Sequence, residues 1–151
     1  MTSLFSAHWG IDWLCSVPLI VATVLIHASV LRLVGHGVHS LLKVKGNKSF
    51  HHMVSVVTVG GSALCAIGAH GFEAWLWSLA YFFSGAIPDP KASMEFSLGA
   101  MTTFGAGGAR LGAEWQLMGP LEALNGWILF GLTTAFLFTI IRDVWTSELS
   151  V

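Results

Sequence analysis

The sequence predicts an all-α membrane protein: three transmembrane helices, plus a short helix and loop that enter the membrane and leave it on the same side. Three observations carry this. Of 151 residues, 54 % are hydrophobic and 10 % charged, a balance suited to lipid rather than water. Three apolar runs, residues 11–34, 53–83 and 118–141, reach the roughly 20 residues that a helix needs to cross the hydrocarbon layer. Between the second and third runs, "KASMEFSLGAMTTFGAGG" (residues 91–108) is too short to span and ends in glycines that favour neither helix nor strand.

The first run follows "MTSLFSAHWGIDW", which has no Lys or Arg before Arg32; the run is too long for a signal-peptide core and reads as a retained span. Cys15 and Cys65 lie inside apolar runs, where a thiol acts as a small hydrophobe, and their spacing implies neither a disulfide framework nor a zinc site. The loop "GHGVHSLLKVKGNKSFHH" holds Lys43, Lys45 and Lys48 just after Arg32, so the positive-inside rule makes it cytoplasmic. The N-terminus and residues 84–117 then lie outside, and the C-terminus with Arg142 returns to the cytoplasm; Lys91 and Arg110 oppose this weakly. Trp9, Trp13, Trp75, Trp77, Trp115 and Trp127 fall near the outer interface and Trp145 near the inner one. A formal charge of −1 with no basic stripe argues against nucleic acid as a partner.

The outer segment opens with "SGAIPDP". Pro88 and Pro90 end the preceding helix, Asp89 or Ser93 caps a new one, and Pro90 suits its first turn. The pattern predicts a helix over residues 91–102, with Met94, Phe96, Leu98 and Met101 as its apolar members. The "TTFGAGG" that follows is irregular backbone, tolerated at membrane depth only where it is buried in protein or lines water. Its carbonyls need a polar counterpart, and cations in a water-filled pore provide one. Pointing successive peptides inward takes alternating backbone conformations, some with positive φ, which glycine supplies. A single strand cannot enclose an ion, so the reading implies four copies, a homotetramer.

From Phe72 to Trp145 the chain resembles the two-transmembrane pore module of tetrameric potassium channels, in particular small bacterial channel-like proteins with one extra helix before that module. The resemblance rests on an outer helix "FEAWLWSLAYFFSGAIPD", a pore helix "MEFSLGAMTT", a filter-like "TFGAG" and an inner helix "PLEALNGWILFGLTTAFLFTIIRDVW". Thr103, Gly105 and Gly107 match the family's filter positions, and Phe104 stands where an aliphatic residue is usual. Ala106 replaces the aromatic residue that braces the family's filter, and Gly108 replaces a common acid. The resemblance implies a tetrameric channel in the bacterial plasma membrane that conducts K+ or another monovalent cation without chemistry or cofactor. Its filter would be Thr102, Thr103, Phe104, Gly105, Ala106 and Gly107. Residues 1–52 would form an extra span and basic loop, and residues 53–151 the pore module.

Glu122 and Asn125, three residues apart in the third span, are ionisable or polar at depth and suit hydrogen bonding behind the filter, where they would replace the missing brace; Glu95 in the short helix is a further candidate. Gly131 reads as a bending point or packing site, and Thr134 and Phe138, one turn apart, share a face toward the pore. Arg110 and Glu114 would rim the outer mouth. A competing reading uses His27 and His70, within spans, to hold a haem or metal ion, with His36, His39, His51 and His52 as a cytoplasmic patch; a third is a non-conducting scaffold. Glu73, three residues after His70, reads as its structural pair at the outer end of the second span. No HExxH helix is present, and "GNKS" lacks the glycine spacing of a phosphate loop, so nothing points to an enzyme.

Overall fold

A computed structural model describes residues 2–42, 48–105, 108, 110–112 and 114–149. Among these residues four helices are present, in the order α1 (Thr2–Leu42), α2 (Lys48–Phe83), α3 (Pro90–Met101) and α4 (Met118–Leu149). Three segments within them, Gly10–Leu42, His52–Phe83 and Met118–Ser147, are long and apolar enough to cross a membrane. The first and third extend past the apolar runs, which stop near residues 34 and 141. Packing explains the difference: Val38 on α1 meets Ile140 and Val144 on α4 in a separate apolar cluster with Val34, Val59 and Phe136, which holds both helix ends in register.

α1 and α4 run side by side in the same direction. Thr23 meets Asn125, His27 meets Thr133, and Gly35 lies against the Phe136 ring. α2 runs the opposite way, with Glu73 at the level of His27 and Val59 at the level of Val38.

α3 begins where the sequence punctuates it. The Asp89 side chain accepts a hydrogen bond from the Ala92 N–H at 2.7 Å, and Pro90 fills the first helical position, where its missing donor costs nothing. From there α3 descends along α2 in steps. The Ile87 N–H donates to the Tyr81 carbonyl at 3.1 Å, Ser93 meets Ser78 at 3.1 Å, and the Ser97 hydroxyl reaches the Ala74 carbonyl at 2.7 Å. On the other side Phe96 lies against Gly119 and Met101 against Gly126 of α4. Gly126 is about 12 Å along α4 from its start at Met118, at 1.5 Å per residue, so the C-terminal end of α3 sits about two turns inside the ends of its neighbours.

The main apolar core surrounds this short helix: Ala74, Trp77 and Tyr81 of α2, Ile87, Phe96 and Met101 around α3, and Met118 and Leu129 of α4. Tyr81 packs edge-on against Phe96 with ring centroids 5.1 Å apart, a preferred aromatic arrangement. Gly126 is required by the closest of these contacts, since a Cβ there would overlap the Met101 carbonyl oxygen.

Candidate functional site

The backbone changes hand where α3 ends. Thr102 caps the helix with φ −87° and ψ −3°, Thr103 has φ 57°, and Gly105 and Gly108 have φ 110° and 99°. The Thr103 N–H donates to the Ala100 carbonyl at 3.1 Å and the Gly105 N–H to the Gly99 carbonyl at 3.2 Å, which satisfies the last carbonyls of the helix. Glycine adopts this conformation freely. Thr103 is a β-branched residue there, a strain of order 1–3 kcal/mol set against these two backbone hydrogen bonds. Thr102, Thr103, Phe104 and Gly105 are all exposed, Phe104 at 92 %. Ala106 and Gly107 lie outside the described residues.

Behind this turn is a buried polar knot. The Tyr81 hydroxyl donates to Glu122 Oε2 at 2.7 Å, and Ser97 Oγ reaches both Glu122 Oε1 and the Ala74 carbonyl. Tyr81, Ser97 and Glu122 are fully buried. Ser97 has one hydroxyl proton facing two acceptors, so it ties α2, α3 and α4 at one point. One turn further, the buried Asn125 Nδ2 donates to Thr23 Oγ1 at 2.8 Å, and Thr23 donates in turn to a carbonyl of its own helix, Leu19 or Ile20. Glu122 and Asn125 therefore both face inward, onto different neighbours. Glu95 is not with them: it is 61 % exposed and pairs with Lys91 at 3.7 Å. Tyr81 and Ser97 were not anticipated as site residues. A single tyrosine within a run of Phe and Trp was the available signal.

Gly131 does not break α4, which continues through it. Gly131, Thr134 and Phe138 form one exposed stripe along that helix, with the Thr134 hydroxyl bonded to its own Phe130 carbonyl at 2.8 Å. Lys43 and Lys45 lie outside the described residues, as does the side chain of His51. The exposed His36 bonds only locally, to the Arg32 carbonyl at 2.8 Å.

A second polar cluster lies midway along the three long helices. His27 and Glu73 are fully buried, and His27 Nδ1 stands 2.9 Å from Glu73 Oε1. His70 Nδ1 is 3.4 Å from the other oxygen, Oε2. Thr133 Oγ1 is 2.9 Å from His27 Nε2 and 3.1 Å from His70 Nε2. The imidazole centroids are 4.8 Å apart, and Phe130 stacks on His70 at 4.3 Å. Sequence reasoning selected His27 and His70 and paired Glu73 with His70; Thr133 stood out only together with Gly131 and Thr134, as small residues for helix packing or pore lining. The i, i+3 spacing of His70 and Glu73 puts both on one face of α2, whereas their approach to His27 and Thr133 depends on the tertiary fold.

Among the described residues, these features define an all-helical fold with three helices able to span a membrane and two buried polar clusters between them. Comparison with protein-family models, curated proteins and solved structures finds no match to this chain.

Proposed function

We propose that the chain is the pore-forming subunit of a homotetrameric channel for monovalent cations, potassium-channel-like in plan. In this reading α3 is a re-entrant pore helix and residues 102–107 supply a filter of backbone carbonyls. The observation that carries the reading is the left-handed turn at Thr103 and Gly105, exposed on a single chain and seated about two turns inside the ends of α2 and α4. Changes of backbone hand aim successive carbonyls to one side, the arrangement by which a filter replaces the water around an ion. Irregular exposed backbone at membrane depth needs water or further protein against it, and three more copies around an axis provide both.

Other features support the same plan. The partially negative C-terminal end of α3 favours a cation beyond it. The Tyr81–Glu122–Ser97 knot fixes that helix from behind, a brace suited to a filter whose Ala106 carries no aromatic ring. The exposed stripe of Gly131, Thr134 and Phe138 on α4 would face the shared axis below. Under the positive-inside rule, Arg32 and the lysines that follow it support an N-terminus outside the cell and a C-terminus in the cytoplasm, which this reading sets in a bacterial plasma membrane.

The test is flux. Protein reconstituted into liposomes with a K+ gradient should conduct, with K+ compared against Na+, and should cross-link as a tetramer. Replacing Gly105 with Val should abolish flux and leave the tetramer intact. Undiminished flux in that variant, or a wild-type protein that is monomeric and silent, would overturn the proposal.

A further inference from the structure

The cluster of His27, His70, Glu73 and Thr133 has a geometry that the channel reading does not use. Thr133 Oγ1 lies within hydrogen-bond distance of both Nε2 atoms, and a hydroxyl has two lone pairs. It can therefore accept an N–H bond from each imidazole. In that tautomer each ring leaves Nδ1 free to ligate, and both Nδ1 atoms face the carboxylate of Glu73, where in the ion-free chain the His27 Nδ1 is hydrogen-bonded to Oε1 at 2.9 Å. Two such nitrogens and a carboxylate directed at one small region can hold a cation.

We propose that this cluster is a binding site for a divalent transition-metal ion of the zinc type, held by His27, His70 and Glu73. Donor atoms of the three lie within 4.8 Å of one another. The 3.4 Å between His70 Nδ1 and Glu73 Oε2 is long for a hydrogen bond, and neither atom has such a partner. That distance matches two ligands at a tetrahedral angle around an ion with bonds of about 2.0–2.1 Å. Two imidazoles and one carboxylate select zinc-like ions over Ca2+ or Mg2+, which take oxygen ligands. Imidazoles with centroids 4.8 Å apart leave room for a single ion between them, not for a haem ring. Thr133 holds the far nitrogen of each ligand histidine, the kind of outer contact that fixes ring orientation and tautomer at metal sites. The ligands come from α1 and α2, with Thr133 on α4 behind them. The ion therefore clamps the first span to the other two.

The experiment uses the full chain in detergent micelles, with His8, His36, His39, His51 and His52 replaced by Gln in every sample so that the five other imidazoles of the chain do not contribute. After stripping with a chelator, Co2+ is titrated as a spectroscopic probe and then displaced with Zn2+. About one equivalent of Co2+ per chain is expected, with the absorption of tetrahedral coordination and displacement by Zn2+. His70→Gln and Glu73→Gln should each weaken Co2+ binding by at least about tenfold, and Thr133→Val, which keeps all three ligands, by about tenfold to a hundredfold. No Co2+ binding by the parent, an octahedral spectrum, or equal affinity in all three variants overturns the site. If His70→Gln or Glu73→Gln fails to fold, the parent spectrum and Thr133→Val decide.

Discussion

Tyr81 and Glu122, on α2 and α4, meet at 2.7 Å with the phenol donating to the carboxyl group, both fully buried. A carboxyl group inside an apolar bundle is costly unless its oxygens are hydrogen-bonded, and Ser97 from α3 supplies the other contact. Three helices are thus fixed by one side chain.

The proton count at this knot predicts which substitutions it tolerates. In Glu122→Gln the new amide donates to Ser97, which frees the Ser97 proton for the Ala74 carbonyl, while the amide oxygen still accepts from Tyr81. Stability should change by less than about 1 kcal/mol. Glu122→Ala and Tyr81→Phe each leave buried polar groups unmatched and should cost about 1–3 kcal/mol. Denaturant or thermal unfolding in micelles checks this, and equal losses for Gln and Ala would contradict the count.

Two glycines of α4 should respond oppositely to the same change. A methyl at Gly126 meets the Met101 carbonyl, so Gly126→Ala should destabilise by about 1–3 kcal/mol or more as α3 is pushed out. Gly131 has open space around its would-be Cβ, and Gly131→Ala should be neutral or stabilising by up to about 1 kcal/mol. The same unfolding measurement separates them.

Strain at Thr103 separates stability from activity. Thr103→Gly removes the cost of holding a β-branched residue at φ 57° and should raise stability by about 1 kcal/mol. It also loosens the turn and deletes a hydroxyl beside the proposed ion path, so liposome flux should fall. Full flux with lowered stability would argue that the turn is ordinary.

The surface pair of Lys91 and Glu95 should matter little. At 84 % and 61 % exposure and 3.7 Å separation it is the kind of ion pair worth less than about 1 kcal/mol. Glu95→Ala should leave stability within that margin and flux close to the parent; a collapse of either would give Glu95 a role in holding the filter.

Much of the architecture was legible because apolar run length and local punctuation are properties of neighbouring residues. Three spans and a short helix opened by Pro88, Asp89 and Pro90 follow from them, and α3 falls within one residue of the range expected at each end. The far ends of α1 and α4 were not legible, since polar residues mark where hydropathy stops and not where a helix stops; the contact of Val38 with Ile140 and Val144 decides that. The polar clusters were half legible. Glu122, Asn125, His27 and His70 are conspicuous at their depth. Of their partners, Ser97 and Thr23 are ordinary in sequence and Tyr81 is marked only as the single tyrosine; the three lie 25, 102 and 41 residues away from the groups they bond.

The hydrogen bonds from α1 to later helices also bear on biogenesis. Asn125 donates to Thr23, and Glu73 rests on His27, so both later groups become tolerable in hydrocarbon when the first helix already waits there. Translation delivers α1 first, and insertion can proceed in the order of synthesis. A circular permutant that released α1 last would strand an amide and a carboxylate at the translocon, ready for quality-control proteolysis before the helix that shelters them had left the ribosome.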